Sequence, residues 1–136
     1  RIAGFLNFVH NCSFLKDIKG DLNYDMSGRN SNEAVPEQVD YFYTEANKAF
    51  GDWLKNDIKN KPEPETVYHP WDKPVGGSDN GSFAKRDIPI IWYHTDGHPD
   101  YHQPSDHADR INWDKVVNIT KASFLNMWYM ANEKDF

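Results

Sequence analysis

The stretch from Gly76 to Ile111, GGSDNGSFAKRDIPIIWYHTDGHPDYHQPSDHADRI, constrains the fold more than any other part of this chain. Within it, Ile88 to Tyr93 is apolar on both faces except at Pro89, the pattern of a strand covered on two sides. Pro89 belongs near the start of that strand, where its missing N–H costs no ladder hydrogen bond. The strand empties into a polar loop, His94 to Asp109. Five of the six histidines lie between His69 and His107, and four fall within the fourteen residues His94 to His107, interleaved with aspartates. A buried strand running into a loop of His and Asp is a common way for α/β proteins to assemble metal or catalytic sites. Pro99 and Pro104 stiffen the loop.

The remaining periodicities supply the partners of that strand. Asp21 to Met26 sets Leu22, Tyr24 and Met26 against Asp21, Asn23 and Asp25, a period of two that reads as a strand. Val39 to Thr44 is a further strand, and Thr66 to His69 a short one. Phe5, Phe8, Val9 and Cys12 share a face of a short N-terminal helix. Ala46, Ala49, Phe50, Trp53, Leu54 and Ile58 recur at three and four residues, an amphipathic helix. Ser78 is placed to cap a short helix running through Phe83 to Arg86. Asn112 is placed to cap the last helix, whose inner face reads as Trp113, Val117, Phe124, Trp128 and Ala131, flanked by Val116 and Met127. Residues 27–36, 61–65 and 70–77 are polar or proline-broken connections. Strands alternating with helices predict an α/β domain with a mixed sheet flanked by helices.

A chain of 136 residues is one domain or part of one. Its net charge of −6 and the lack of any basic stripe exclude a nucleic-acid partner. Cys12 is the single cysteine, so no internal disulfide forms and the redox compartment stays open. No apolar run approaches the ~20 residues of a membrane span. The start at Arg1, without Met or a charged leader, suggests a processed or truncated chain.

Three segments carry candidate chemistry. In His94 to Asp109, imidazoles and carboxylates are the oxygen and nitrogen ligands that zinc takes at ~2.0–2.2 Å. Taken singly, each of these residues is more ordinarily a solvated loop side chain; the cluster behind a buried strand favours a site. In DLNYDMSGR, Asp25 stands at a strand's C-terminal end, where open sheets bind ligands, and Gly28 lets the chain turn away. A turn-capping aspartate is its ordinary alternative. In GGSDNGSF, the glycines allow close backbone approach to a ligand, although Ser78 and Asp79 also suit a plain helix start. A self-contained metal site from His94, His98, His102 and His107 has the spacing of one helix face, but Pro99 and Pro104 oppose a helix there. Trp71 and Trp92 read as core rather than pocket lining.

Together these segments resemble the co-catalytic zinc aminopeptidases, whose relatives include glutamate carboxypeptidase II and the glutaminyl cyclases. The resemblance rests on Asn23, Asp25, Met26, Gly28 and Arg29, on Gly77-Ser78-Asp79 through Phe83, on Ile88-Pro89, and on Asp100-Tyr101-His102 through Asp106. It covers roughly residues 20 to 131. It implies a three-layer α/β sandwich of the zinc-exopeptidase type, in which Asp25 ligates one zinc and His102 the other. Tyr101 would donate to the oxyanion, and Gly76, Gly77, Ser78, Asp79 and Asn80 would form part of the substrate wall. It further implies a peptide substrate, two zinc ions in the complete domain, and a periplasmic or secreted location. The family also needs a His-x-Asp bridge and a Glu-Glu pair upstream of Asp25. Residues 1–24 contain neither. His94-Thr95-Asp96 and His98-Pro99-Asp100 have the letters of a His-x-Asp but follow the wrong strand. The chain therefore reads as the C-terminal part of a catalytic domain, holding one zinc or none by itself, with the N-terminal remainder of that domain as its partner. Two other readings stand beside it: a non-enzymatic binding module with a degenerate metal site, and a glutaminyl cyclase-like acyltransferase.

Overall fold

The computed structural model describes residues 2–44, 50, 52–54, 56, 66–71 and 77–132. The strands are Asp21–Tyr24 (β1), Val39–Thr44 (β2), Thr66–Trp71 (β3) and Ile90–His94 (β4). They form one sheet in the order β1-β4-β2-β3. β1 runs parallel to β4, with Asp21 opposite Ile90 and Tyr24 opposite Tyr93. β2 runs antiparallel to β4, with Asp40 opposite His94, and parallel to β3. The sheet is mixed, as the sequence predicts. One of its ends therefore gathers the C-termini of β1 and β4 beside the N-terminus of β2.

The two prolines follow the ladder rules. Pro89 sits just ahead of β4 and its carbonyl accepts the Asp21 N–H at 2.9 Å, so β4 begins at Ile90 rather than Ile88. Pro70 lies within β3, which extends to Trp71 and overruns the predicted end at His69. β3 is an edge strand, where a residue without an N–H is tolerated. Residues 61–65 and the predicted helix positions Ala46, Ala49 and Ile58 lie outside the described residues. Phe50 and 52–54 are helical.

Both faces of β4 are covered. Ile91 and Tyr93 join Val39, Tyr41, Tyr43, Phe50, Leu54, Ile119, Ala122 and Met130 in one core cluster. Ile90 joins Val9, Phe83, Ala84 and Ile88 in the other. At ~1.5–3 kcal/mol for each large apolar side chain removed from water, these layers hold the sheet. On one side lie the helix Ile2–Asn11 (α1) and the short helix Gly81–Ala84 (α2). On the other lies the long helix Trp113–Asn132 (α3). Of the predicted α1 face only Val9 is buried; Phe5 and Phe8 stay partly exposed and meet Phe83 at ring distances of 6.2 and 6.3 Å.

α3 is turned opposite to the reading of its apolar stripe. Trp113, Phe124 and Trp128 are 61, 53 and 57% exposed, and Val117 and Met127 are exposed as well. The buried positions are Lys115, Ile119, Ala122, Ser123, Asn126 and Met130. The sheet explains the inversion. Its face toward α3 carries tyrosines, whose hydroxyls need partners when covered. Asn126 Nδ2 donates to Tyr93 OH at 2.9 Å, and Ser123 Oγ is hydrogen-bonded to Tyr24 OH. Asn126 and Ser123 thus pair the hydroxyls of Tyr93 and Tyr24, which leucines at those positions would not. The Asn112 cap stands as predicted: its Oδ1 accepts the Lys115 N–H at 3.0 Å.

β1 contains one unfavourable charge. Asp21 Oδ2 is buried and has no hydrogen-bond partner. Burial, and secondarily the charge of Asp79, pushes the Asp21 carboxyl up from 3.8 to about 6. An acid raised on folding holds its proton more tightly in the native state, so stability is lost as pH rises from its unfolded pKa through the folded one. Asp21→Asn is expected to raise the unfolding free energy by about 2–3 kcal/mol above pH 7, a gain that shrinks to a few tenths near pH 4. Urea unfolding at both pH values checks this; an equal gain at both would show that the charge is not the cause.

Candidate functional site

Asp25 stands just past β1, at the sheet end shared with the C-terminus of β4. Its backbone is held from β4: Trp92 Nε1 donates to the Asp25 carbonyl, and His94 Nδ1 lies 2.7 Å from that oxygen and 3.1 Å from the Met26 nitrogen. Thr95 closes the turn, its N–H and hydroxyl donating to the Met26 carbonyl at 2.9 and 3.0 Å. The strand ladder ends at Tyr24, two residues before the predicted end, because the chain is already turning into these bonds.

The Gly77 to Asn80 segment lies against the polar side of β1. Ser78 Oγ donates to Asp25 Oδ2 at 2.6 Å, and Asn23 Nδ2 donates to Asn80 Oδ1 at 3.0 Å. Asn23 and Asp25, spaced by two on one face, thus bind this loop. Ser78 is not the cap expected of it: no side chain caps α2, and Asn80 precedes its first residue. Ser78 and Asn80 are buried, Asp79 is half-buried, and Gly77 is exposed with φ +141°, a conformation suited to glycine. Gly76 lies outside the described residues. The inward hydroxyl of Ser78 fixes one oxygen of Asp25.

Tyr101 and His102 sit on the loop after β4. Their rings stack with centroids 4.0 Å apart and 27° between planes, so the two side chains leave the loop on the same side. Tyr101 is 47% exposed, so its ring lies outside the core. His102 is exposed and holds φ +58°, in the left-handed region that non-glycine residues seldom enter. Successive turns build the loop: Tyr101 N–H to His98 O at 3.0 Å, Gln103 N–H to Asp100 O at 2.8 Å, and Asp106 N–H to Gln103 O at 3.1 Å.

The two halves are joined through a residue to which the sequence reading gave no role. Arg29, four residues after Asp25, reaches Asp100 Oδ2 at 2.5 Å with one guanidinium nitrogen and Asp106 Oδ1 with the other. Arg110 also reaches Asp100, at 2.9 Å, and Ser105 Oγ donates to its other oxygen at 2.7 Å. The Ser105 hydroxyl and the Arg29 guanidinium hold the Asp100 carboxyl well below the usual carboxylate range. The bond to Asp100 raises Arg29 in turn. Lys115 on α3, buried and lowered by that burial, donates to the Arg29 carbonyl at 3.2 Å. The signal was in the sequence: two aspartates bracket Tyr101 and His102, and an arginine closes the upstream motif.

A carboxylate and an imidazole are the kinds of side chain that could fill one oxygen and one nitrogen arm of a zinc site, and Asp25 and His102 are of those kinds. Among the described residues no group of three or more His, Cys, Asp or Glu could hold a metal ion. The self-contained site from four histidines is therefore not assembled. His94 is committed to the Asp25 backbone. His98 is buried, its Nε2 is 4.0 Å from Asp106, and its Nδ1 has no hydrogen-bond partner. His107 is exposed. Among the described residues no helix is long and apolar enough to cross a membrane.

Comparison with known proteins bears on the fold and the family. Two crystal structures of LapA from Legionella pneumophila, one of them described as an aminopeptidase, share the fold. They superpose with TM-scores of 0.75 and 0.76 at 21% identity, over 97 and 98% of this chain. The chain spans 37% of the length of each. Curated protein sequences return no match. Residues 4–127 match the sequence profile of peptidase family M28. With nearly the whole chain covered by that profile, and with the mixed three-layer fold beneath it, this protein belongs to peptidase family M28.

Proposed function

We propose that this chain is the C-terminal part of the catalytic domain of a zinc-dependent exopeptidase of the aminopeptidase type. The observation that carries the reading is the pairing of two held elements. Asp25 has one oxygen fixed by Ser78, and the loop bearing Tyr101 and His102 is tied by Arg29 to the same strand end. Zinc, when bound, would polarise the scissile carbonyl and lower the pKa of the attacking water. The chain's own residues do the rest of what it contributes. Asp25 and His102 offer one ligand each, and Ser78 holds one oxygen of Asp25, leaving the other to the metal. Tyr101, exposed beside His102, offers a phenol proton to the oxygen that gains charge as the peptide carbonyl is attacked. Gly77 lies against the ring of Trp92, whose indole N–H holds the Asp25 carbonyl, and the Gly77 to Asn80 loop would meet the substrate. The remaining ligands and the general base would come from the N-terminal remainder of the domain.

The absence of a three-ligand group among the described residues also suits a second reading, a binding module that kept the fold and lost the metals. One experiment separates the two. The full-length protein is assayed for bound zinc and for cleavage of aminoacyl-p-nitroanilides before and after chelation. Turnover lost on chelation and restored by zinc supports the exopeptidase; a metal-free protein that never cleaves supports the module.

A further inference from the structure

We infer that Arg29 is the positioning residue of the candidate site, the strap that ties the strand end bearing Asp25 to the loop presenting Tyr101 and His102. The inference rests on the metal reading proposed above and adds to it a residue that touches neither metal nor substrate. Its two guanidinium nitrogens divide their bonds, one to Asp100 and one to Asp106. Those carboxylates flank the Tyr101-His102 pair on both sides. Held at both ends, the segment keeps His102 in a left-handed backbone conformation that an untethered loop of L-residues would leave for an extended or helical one.

Arg29 is itself anchored. Its carbonyl accepts Lys115 Nζ, and Gly28, just before it, accepts the Asn112 N–H at 2.9 Å. The strap therefore runs from α3 through the turn after β1 to the loop after β4. Arginine suits this task because its planar fork presents donors in two directions at once; a lysine ammonium is a single point. Arg110 cannot substitute, since it reaches Asp100 alone and its side chain is mostly exposed.

The test compares Arg29→Ala and Arg29→Lys with the wild type in two measurements. In the full-length protein, zinc affinity by chelator competition is expected to fall by ~10–100-fold for Arg29→Ala, as for other partners that orient ligands from behind, with partial recovery in Arg29→Lys. In the metal-free 136-residue chain, amide exchange is expected to accelerate over residues 98–107 while β2 and β4 stay protected. A purely structural role predicts faster exchange throughout and no separate change in zinc affinity, and would overturn the inference, as would unchanged affinity with an unchanged loop. If the wild type binds no zinc but Arg29→Ala still loosens residues 98–107 selectively, the strap stands and the metal reading falls. Should Arg29→Ala fail to fold, Asp106→Asn removes one arm at a partly exposed position; it should give the same changes at smaller size, and no local change there would also overturn the strap.

Discussion

Purified as its 136 residues alone and supplied with zinc, this chain is expected to leave aminoacyl-p-nitroanilides uncleaved, more than about 10⁴-fold below the full-length protein. General-base assistance is typically worth ~10²–10⁴ by itself, and the loss of paired metal ions removes further stabilisation of the attacked carbonyl. No glutamate precedes Asp25, and no three-ligand group exists among the described residues. Asp100, the acid nearest Tyr101 in sequence, is committed to Arg29, Arg110 and Ser105 and is held ionised far below neutrality, which makes it a poor base. Activity of the chain alone would overturn the division of the site between two segments and return attention to His94, His98 and His107.

Tyr101→Phe in the full-length protein should lower kcat by ~10²–10³ with little change in KM, because the phenol proton matters mainly once negative charge develops. The substitution keeps the ring and its stack on His102 and deletes only the donor. Thermal stability should hardly move, since the ring is about half exposed, 47%, and surface substitutions usually fall within ~0.5 kcal/mol. The alternative, a tyrosine whose hydroxyl braces a loop carbonyl, predicts a stability loss of ~0.5–1.5 kcal/mol and near-normal kcat. Measuring both quantities on the same variant distinguishes them, and an unchanged kcat ends the oxyanion role.

The parts of the fold legible in the sequence are those set by short-range patterning. β2 spans Val39–Thr44 in both the reading and the structure. Pro89 and Asn112 fall where their missing and available hydrogen bonds require. β4 loses Ile88 and gains His94 because its limits are set by its neighbours, Asp21 opposite Ile90 and Asp40 opposite His94, and periodicity carries no register. At the site, the motif letters singled out Asp25, Tyr101 and His102, but not how they are held. The bond of Ser78 to Asp25 spans 53 positions and that of Arg29 to Asp100 spans 71. Such contacts leave no local periodicity. The sequence therefore places Ser78 at a helix start or in a substrate wall and shows Arg29 only as a motif letter, whereas both are fixed by partners far away in the chain.

α3 inverts the usual map of mutational tolerance. A scan guided by hydropathy would protect Trp113, Phe124 and Trp128 and treat Ser123 and Asn126 as expendable. The packing argues the reverse. The outward tryptophans have few neighbours to lose on truncation, whereas Ala122 and Ser123 sit where added volume would push α3 off the tyrosines of β1 and β4. In a library sorted for folded protein, the depleted positions along α3 should be its small and polar ones, and the tryptophans should be the positions at which variation accumulates.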